Sequence, residues 1–271
     1  MREKISACVM TYNEENNIER CLGSLTWCDE IVVLDSFSED RTLELARKYT
    51  DHIHQHPWGG YIRQRNMMRE MAQFSWVLFL DADEEISDVS REEILREMEA
   101  NDGRYIGFRF PRCIRYLGQW IRYGEWYPDV TLRLFLKDRG RSVGEEPHDK
   151  VVVGGKVKTL KNPILHYSHD SISDHINTIN RFASIAARAK HSEGYRFRMI
   201  DFLFRPHWRF IKGFILRGGF LHGRRGYFIA MMNVFGVLVK YAKLWELELG
   251  EDGKTAAAPD AQPPDPRERP E

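Results

Sequence analysis

Four carboxylates fall within five positions, Asp81, Asp83, Glu84 and Glu85, with Ala82 separating the first two. They follow directly on an apolar run, residues 76–80. A short apolar run of this kind reads as a strand buried on both faces of a parallel sheet. Such a strand cannot carry four carboxylates into a core, so they must lie where it leaves the sheet, at its carboxyl end. Open α/β sheets bind ligands along that edge. Residues i and i+2 at a strand end point the same way, so Asp81 and Asp83 would offer two hard oxygen ligands on one side. That suits Mg²⁺ or Mn²⁺, which takes one or two carboxylates plus substrate phosphates. The competing reading is a solvated acidic loop before a helix, favoured by capping and the helix dipole, with Ser87 as the cap.

The preceding chain supplies the context. Residues 5–10 and 30–34 read as two more buried strands, and 52–56 as a weaker one. Helical patterns follow them at 16–25, after Ser38 as a cap, and at 61–74 beyond Gly59-Gly60. The order β-α-β-α-β-α-β predicts a parallel sheet with right-handed crossovers. Polar exits at Tyr12, Asp35 and Asp81 then share one sheet edge. After a charged helix at about 90–100, short strands are expected at 105–114, 130–136, 151–153 and 164–167. A helix is expected at about 171–192, and no internal repeat is apparent.

The 271 residues suffice for one large α/β domain or a domain with an extension, and 42% hydrophobic content suffices for a core. Net charge is +0, which gives no global signal for nucleic acid. The distribution is uneven: Arg196 to Lys243 holds ten Lys/Arg and one acid, Asp201. The tail from about 250 is polar and rich in Pro and Ala, and disorder is expected there. Cys8, Cys21, Cys28 and Cys113 form no CxxC pair, which fits reduced thiols and a cytosolic setting. The opening residues show no h-region of a signal peptide. The twelve-residue run 228–239 is too short to span a bilayer.

In order, the segments V-M-T-Y-N-E-E (9–15), L-D-S-F-S-E-D-R-T (34–42), R-N (65–66) and F-L-D-A-D-E (79–84) resemble inverting glycosyltransferases of family 2 with the GT-A fold. Y-P-D (127–129), R-L-F (133–135), P-H-D (147–149), L-H-Y (165–167), R-P (205–206) and G-G-F-L-H-G (218–223) are similar to the subgroup of lipopolysaccharide core β-1,4-glucosyltransferases. The resemblance covers roughly residues 4–249. It implies a nucleotide-sugar donor, expected to be UDP-linked, and a divalent metal, Mn²⁺ or Mg²⁺. It implies Thr11, Tyr12 and Glu14 around the nucleotide, with Tyr12 stacking on the base. Asp35 would accept from base or ribose, and Arg65 would lie near the base. Asp81 would contact ribose or metal, Asp83 would ligate the metal, and His166 would reach the metal or the diphosphate, with His169 as a spare. The general base would be Asp149, where the family often has Glu. Glu146, Glu145 and Asp129 compete for that role.

The expected architecture is a GT-A, Rossmann-like, mostly parallel sheet flanked by helices over residues 1–192. It divides into a nucleotide-binding half, 1–100, and an acceptor and catalytic half, 101–192. A basic, amphipathic helical extension is expected at 193–249, and a tail at 250–271. Basic residues interleaved with aromatic and apolar ones are what a helix lying in a headgroup plane needs. The expected function is transfer of a hexose, with glucose favoured, from a UDP-sugar to a lipid-anchored glycan such as the lipopolysaccharide inner core. The expected location is the cytoplasmic face of the inner membrane, bound to its anionic surface and not to nucleic acid. The alternatives are a membrane-associated scaffold that keeps the fold without catalysis, and a nucleotidyltransferase of related fold.

Overall fold

A computed structural model describes residues 3–144, 150–169 and 171–251. The chain divides into two compact units. Among the described residues, one holds those up to Cys113 together with Asp129–Tyr167, and the other holds Ile114–Pro128 together with those from Ser168 to Glu251. The boundary expected at 192 therefore moves to 167. The physical reason is packing: the helix Ile172–Ser192 (α5) lies against the C-terminal helix Gly223–Glu251 (α7).

In the first unit, β1 (Ile5–Thr11), β2 (Glu30–Asp35), β3 (Ile53–Gln55) and β4 (Trp76–Asp81) are all parallel, in the order β3-β2-β1-β4. The apolar runs form strands because both faces are covered. Ile5, Ala7 and Val9 of β1 join a core with α1 (Ile18–Gly23), α2 (Thr42–Ala46) and α4 (Asp88–Glu99). Cys8 and Met10 point the other way, into a second core with Met68 of α3 (Tyr61–Met71). Ser87 caps α4 as expected, accepting from Ser90 N at 3.3 Å. Ser38 does not cap α2, because it turns back onto Asp35 instead.

Beyond β4 the sheet becomes mixed. β5 is Glu84–Ile86, β6 Gly107–Tyr116, β7 Gln119–Ile121 and β8 Asp129–Leu136. β9 is Gly140–Val143, β10 Lys150–Val153, β11 Val157–Thr159 and β12 Ile164–His169. The sheet continues β4-β8-β6-β12-β5, with β8 antiparallel to β4 and β12 antiparallel to β5. β5 brings Glu84 opposite His166, so the chain just after Asp81 is held by β12.

The second unit contains α5, α6 (Met199–Phe210), a π-helical segment Ile211–Leu216, a 3₁₀ turn Gly219–His222, and α7. Ser171 caps α5 by accepting from Asp174 N at 3.0 Å. The apolar run 228–239 is part of the continuous α7. Most of that helix falls in the helical segment Gly219–Gly250, which is long and apolar enough to cross a membrane by length and composition. The span is longer than the apolar run suggests because helical residues continue on both sides of it. One face of α7 is buried through Ile229, Ala230, Met232, Tyr241 and Leu244.

Candidate active site

All the site residues that the structure describes lie in the first unit, most of them where parallel strands end. Thr11 and Asp35 are register partners at the ends of β1 and β2. Asp35 is fully buried and accepts from Ser38 N at 2.9 Å and Gln55 Nε2 at 3.0 Å, and from the Ser38 hydroxyl. Three donors thus fix one carboxylate at the sheet edge. Thr11 Oγ1 is buried and has no hydrogen-bond partner among the described residues. A buried hydroxyl without a partner is costly unless a ligand supplies one. Tyr12 is half-buried beside it. Asn13 takes a positive φ of 51° and ties the β1 exit to the β2 exit through Glu39 N, 2.8 Å from its Oδ1. Glu14 is held by its backbone, which donates to Thr42 Oγ1 at 2.7 Å, and its carboxylate accepts from Asn17.

Asp81 and Asp83 do not act as one pair. β4 ends at Asp81, and Ala82 and Asp83 form a turn, so the i, i+2 relation of a strand stops there. Asp81 Oδ1 lies 3.1 Å from Arg65 Nη2, and Oδ2 lies 2.8 Å from Arg133 Nη2. Both oxygens are engaged by guanidinium groups, an arrangement that differs from the two ligands on one side expected of the i, i+2 spacing. Burial raises the Asp81 carboxyl, but Arg133 and Arg65 outweigh it and hold it well below the usual carboxylate range. Arg65 therefore reaches the predicted site through Asp81.

Asp83 meets His166, with Oδ2 3.0 Å from Nε2. β12 delivers the ring, and Tyr167 N donates to Asp83 O at 2.9 Å. Burial pushes the ring toward its neutral form, but the charge and hydrogen bond of Asp83 outweigh it and keep the imidazolium above its ordinary value. A divalent cation bound by Asp83 and His166 would have to displace that proton, because only the neutral imidazole ligates a metal. His166 Nδ1 is buried with no hydrogen-bond partner among the described residues. The donor set fits a metal held by two side chains. Among the described residues no group of three or more His, Cys, Asp or Glu converges, so phosphate oxygens and water would complete the shell.

Behind these residues runs a ladder of alternating charge that motif reading missed. Arg133 Nη2 also lies 2.7 Å from Glu84 Oε1, and Glu84 Oε2 accepts from Asp81 N at 3.1 Å. Arg112 Nη1 lies 3.6 Å from Glu84 Oε1, and Arg112 Nε lies 2.9 Å from Asp129 Oδ2. Arg133 and Glu84 are both buried. The available signal was Arg133 itself, a charge inside the apolar strand V-T-L-R-L-F-L. A buried charge needs a partner, and this one has two. Asp129, a competing general base, is the far rung of the ladder and is committed to Arg112. Asp149, Glu146 and Glu145 lie outside the described residues, as does the side chain of His169.

A parallel half-sheet with polar residues at its carboxyl edge, continued by antiparallel strands, is the GT-A frame of a sugar transferase. The model of glycosyl transferase family 2 matches residues 6–153, and the chain belongs to that family. An uncharacterized glycosyltransferase, RT0209, of Rickettsia typhi is 30% identical over 91% of this chain and 88% of its own length. LpsC of Rhizobium meliloti, a lipopolysaccharide core biosynthesis glycosyltransferase, is 28% identical over 89% of this chain and 92% of its own. Among solved structures, S. aureus TarS 1-349 in complex with UDP-GlcNAc is 17% identical, covers 93% of each chain, and has a TM-score of 0.46.

Proposed function

We propose that this glycosyltransferase moves a hexose, with glucose favoured, from a UDP-sugar to a lipid-anchored glycan of the lipopolysaccharide inner-core type, with inversion. The observation that carries the reading is the Asp83–His166 pair at 3.0 Å, set beside the Arg65–Asp81 pair at the end of β4. Similarity to LpsC supports the acceptor class.

Thr11, Tyr12 and Asp35 would bind the nucleoside, with the Thr11 hydroxyl finding its partner there. Arg65, held by Asp81, would orient the donor. Asp83 and His166 would hold Mn²⁺ or Mg²⁺, which neutralises charge on the departing diphosphate. Inversion proceeds by a single displacement. An acceptor hydroxyl oxygen bonds to the anomeric carbon, the bond from that carbon to the diphosphate oxygen breaks, and a general base on the opposite face takes the hydroxyl proton. Asp149 is the proposed base, with Glu146, Glu145 and Asp129 as its competitors. A lipid-anchored acceptor implies work at the cytoplasmic face of an anionic membrane. The test is release of UDP from a panel of UDP-sugars with Mn²⁺, with and without a lipid-anchored core acceptor. Turnover abolished by EDTA and by Asp83→Ala supports the reading. Calorimetry showing no donor binding would overturn it.

A further inference from the structure

The second unit turns apolar side chains outward where a water-soluble helix would carry polar ones. Along α6 and the π-helical segment, Leu203, Phe204, Trp208, Ile211, Ile215 and Leu216 are all exposed, Phe204 by 67%, Trp208 by 59% and Leu216 by 64%. From Phe204 the steps are four, three and four, which keeps the side chains on one stripe. Asp201, Pro206 and Gly213 lie on the buried side of the same segment. The usual amphipathic arrangement is inverted, and the stripe from 203 to 216 is roughly 20 Å long.

The flanks are basic. From Arg196 to Arg225 there are eight Lys/Arg and one acid, Asp201. Asp201 is itself bonded to Arg205 Nε at 2.6 Å, so it offers little to a cationic partner. Arg198, Arg217 and Arg224 are exposed. Bulky apolar and aromatic side chains framed by Arg and Lys match the headgroup layer of an anionic bilayer. An apolar protein surface would satisfy the stripe but not the charge.

We propose that the second unit docks on an anionic lipid bilayer through the stripe 203–216, lying in the headgroup plane with Phe204, Trp208 and Leu216 inserted. This narrows the membrane contact expected over 193–249 to the segment before α7, in which Ile229, Ala230 and Met232 are already buried. The inference deepens the membrane part of the proposed function and is independent of the donor chemistry.

The full chain is sedimented with vesicles of phosphatidylcholine, with or without phosphatidylglycerol. It binds the anionic vesicles, and added salt weakens binding. Phe204→Glu with Trp208→Glu lowers partitioning by at least about tenfold. Neither change removes core, so the melting temperature stays, and UDP binding by the same variant stays. Loss of UDP binding in wild type and variant alike would instead indict the donor reading and leave docking intact. A second readout needs no disruptive change: brominated lipid quenches wild-type tryptophan fluorescence, and Trp208→Phe loses most of that quenching. Wild-type partitioning of the double variant overturns the proposal. So does loss of binding in Met231→Glu with Phe235→Glu alone, which would assign docking to α7. Resistance to alkaline carbonate extraction would show a spanning helix, and retention on RNA without vesicle binding would show a different partner.

Discussion

Asp81 at the end of β4 and Arg133 in the middle of β8 are joined by a 2.8 Å hydrogen bond that ties a buried guanidinium to the candidate site. Arg133 holds Asp81 on one side and Glu84 on the other, and Glu84 in turn holds the Asp81 backbone. Removing the guanidinium leaves Asp81 with Arg65 alone and the buried Glu84 with only the longer 3.6 Å contact to Arg112. Arg133→Met should cost about 3–5 kcal/mol in a urea titration. Pairing it with Glu84→Gln should recover part of that loss. Arg133→Lys should keep the fold but weaken UDP binding, because a single ammonium cannot reproduce the fork. Equal donor affinity in the Lys variant would remove Arg133 from the site.

The second prediction concerns Asp83 and His166. Either Asp83→Ala or His166→Ala should weaken Mn²⁺ binding at the donor site by about 10–100-fold. Both variants should keep the fold, since Asp83 and His166 make their side-chain contact mainly with each other. Titration of Mn²⁺ in the presence of UDP, followed by electron paramagnetic resonance, reads this directly. Asp81→Asn should leave Mn²⁺ affinity closer to wild type than Asp83→Ala does, because the Asp81 oxygens are already on arginines.

A third prediction is a pH effect in the second unit. Hydrogen bonds from Tyr195 and Arg205 hold the Asp201 carboxyl below its ordinary value. A carboxyl depressed in the fold stabilises it above the unfolded value of about 4, and that contribution is lost as pH falls through the folded value. Asp201→Asn should therefore lower stability at pH 7, and the difference from wild type should shrink as pH drops below about 4. Thermal melts between neutral and acid pH check the sign. A difference that grows toward acid would contradict it.

The fourth prediction tests the tight corner that leads into α7. A Cβ on Gly226 would lie 1.8 Å from Gly219 O. Backbone cannot yield as a side-chain tip does, so Gly226→Ala should destabilise by about 1–3 kcal/mol or more. Gly154→Ala, where a Cβ meets nothing within 4 Å, is the matched control.

The parallel half of the fold was legible because strands buried on both faces leave continuous apolar runs, and the polar residues that end them fall at the sheet edge. Tyr12, Asp35 and Asp81 were placed there by that logic. The charge ladder was not legible, because Arg133 and Arg112 meet partners supplied by strands distant in sequence, and pairing across a sheet leaves no spacing signal. The i, i+2 argument for Asp81 and Asp83 failed at a single turn, since periodicity says nothing about where a strand stops. Ser38 illustrates the same limit from the other side: its type suits a cap, but Asp35 three residues earlier competes for it. In the C-terminal part, composition identified a basic, apolar region, while only packing separates the buried face of α7 from the exposed stripe of α6.

The most direct test of the central claim is donor turnover with the cation controlled. The full chain is incubated with each UDP-sugar and a lipid-anchored core acceptor, with Mn²⁺ or with EDTA, and UDP release is measured. The account predicts release from one UDP-hexose that requires the cation and falls by about 10²-fold or more in Asp83→Ala. Release that persists undiminished in EDTA, or in Asp83→Ala at saturating Mn²⁺, would contradict it.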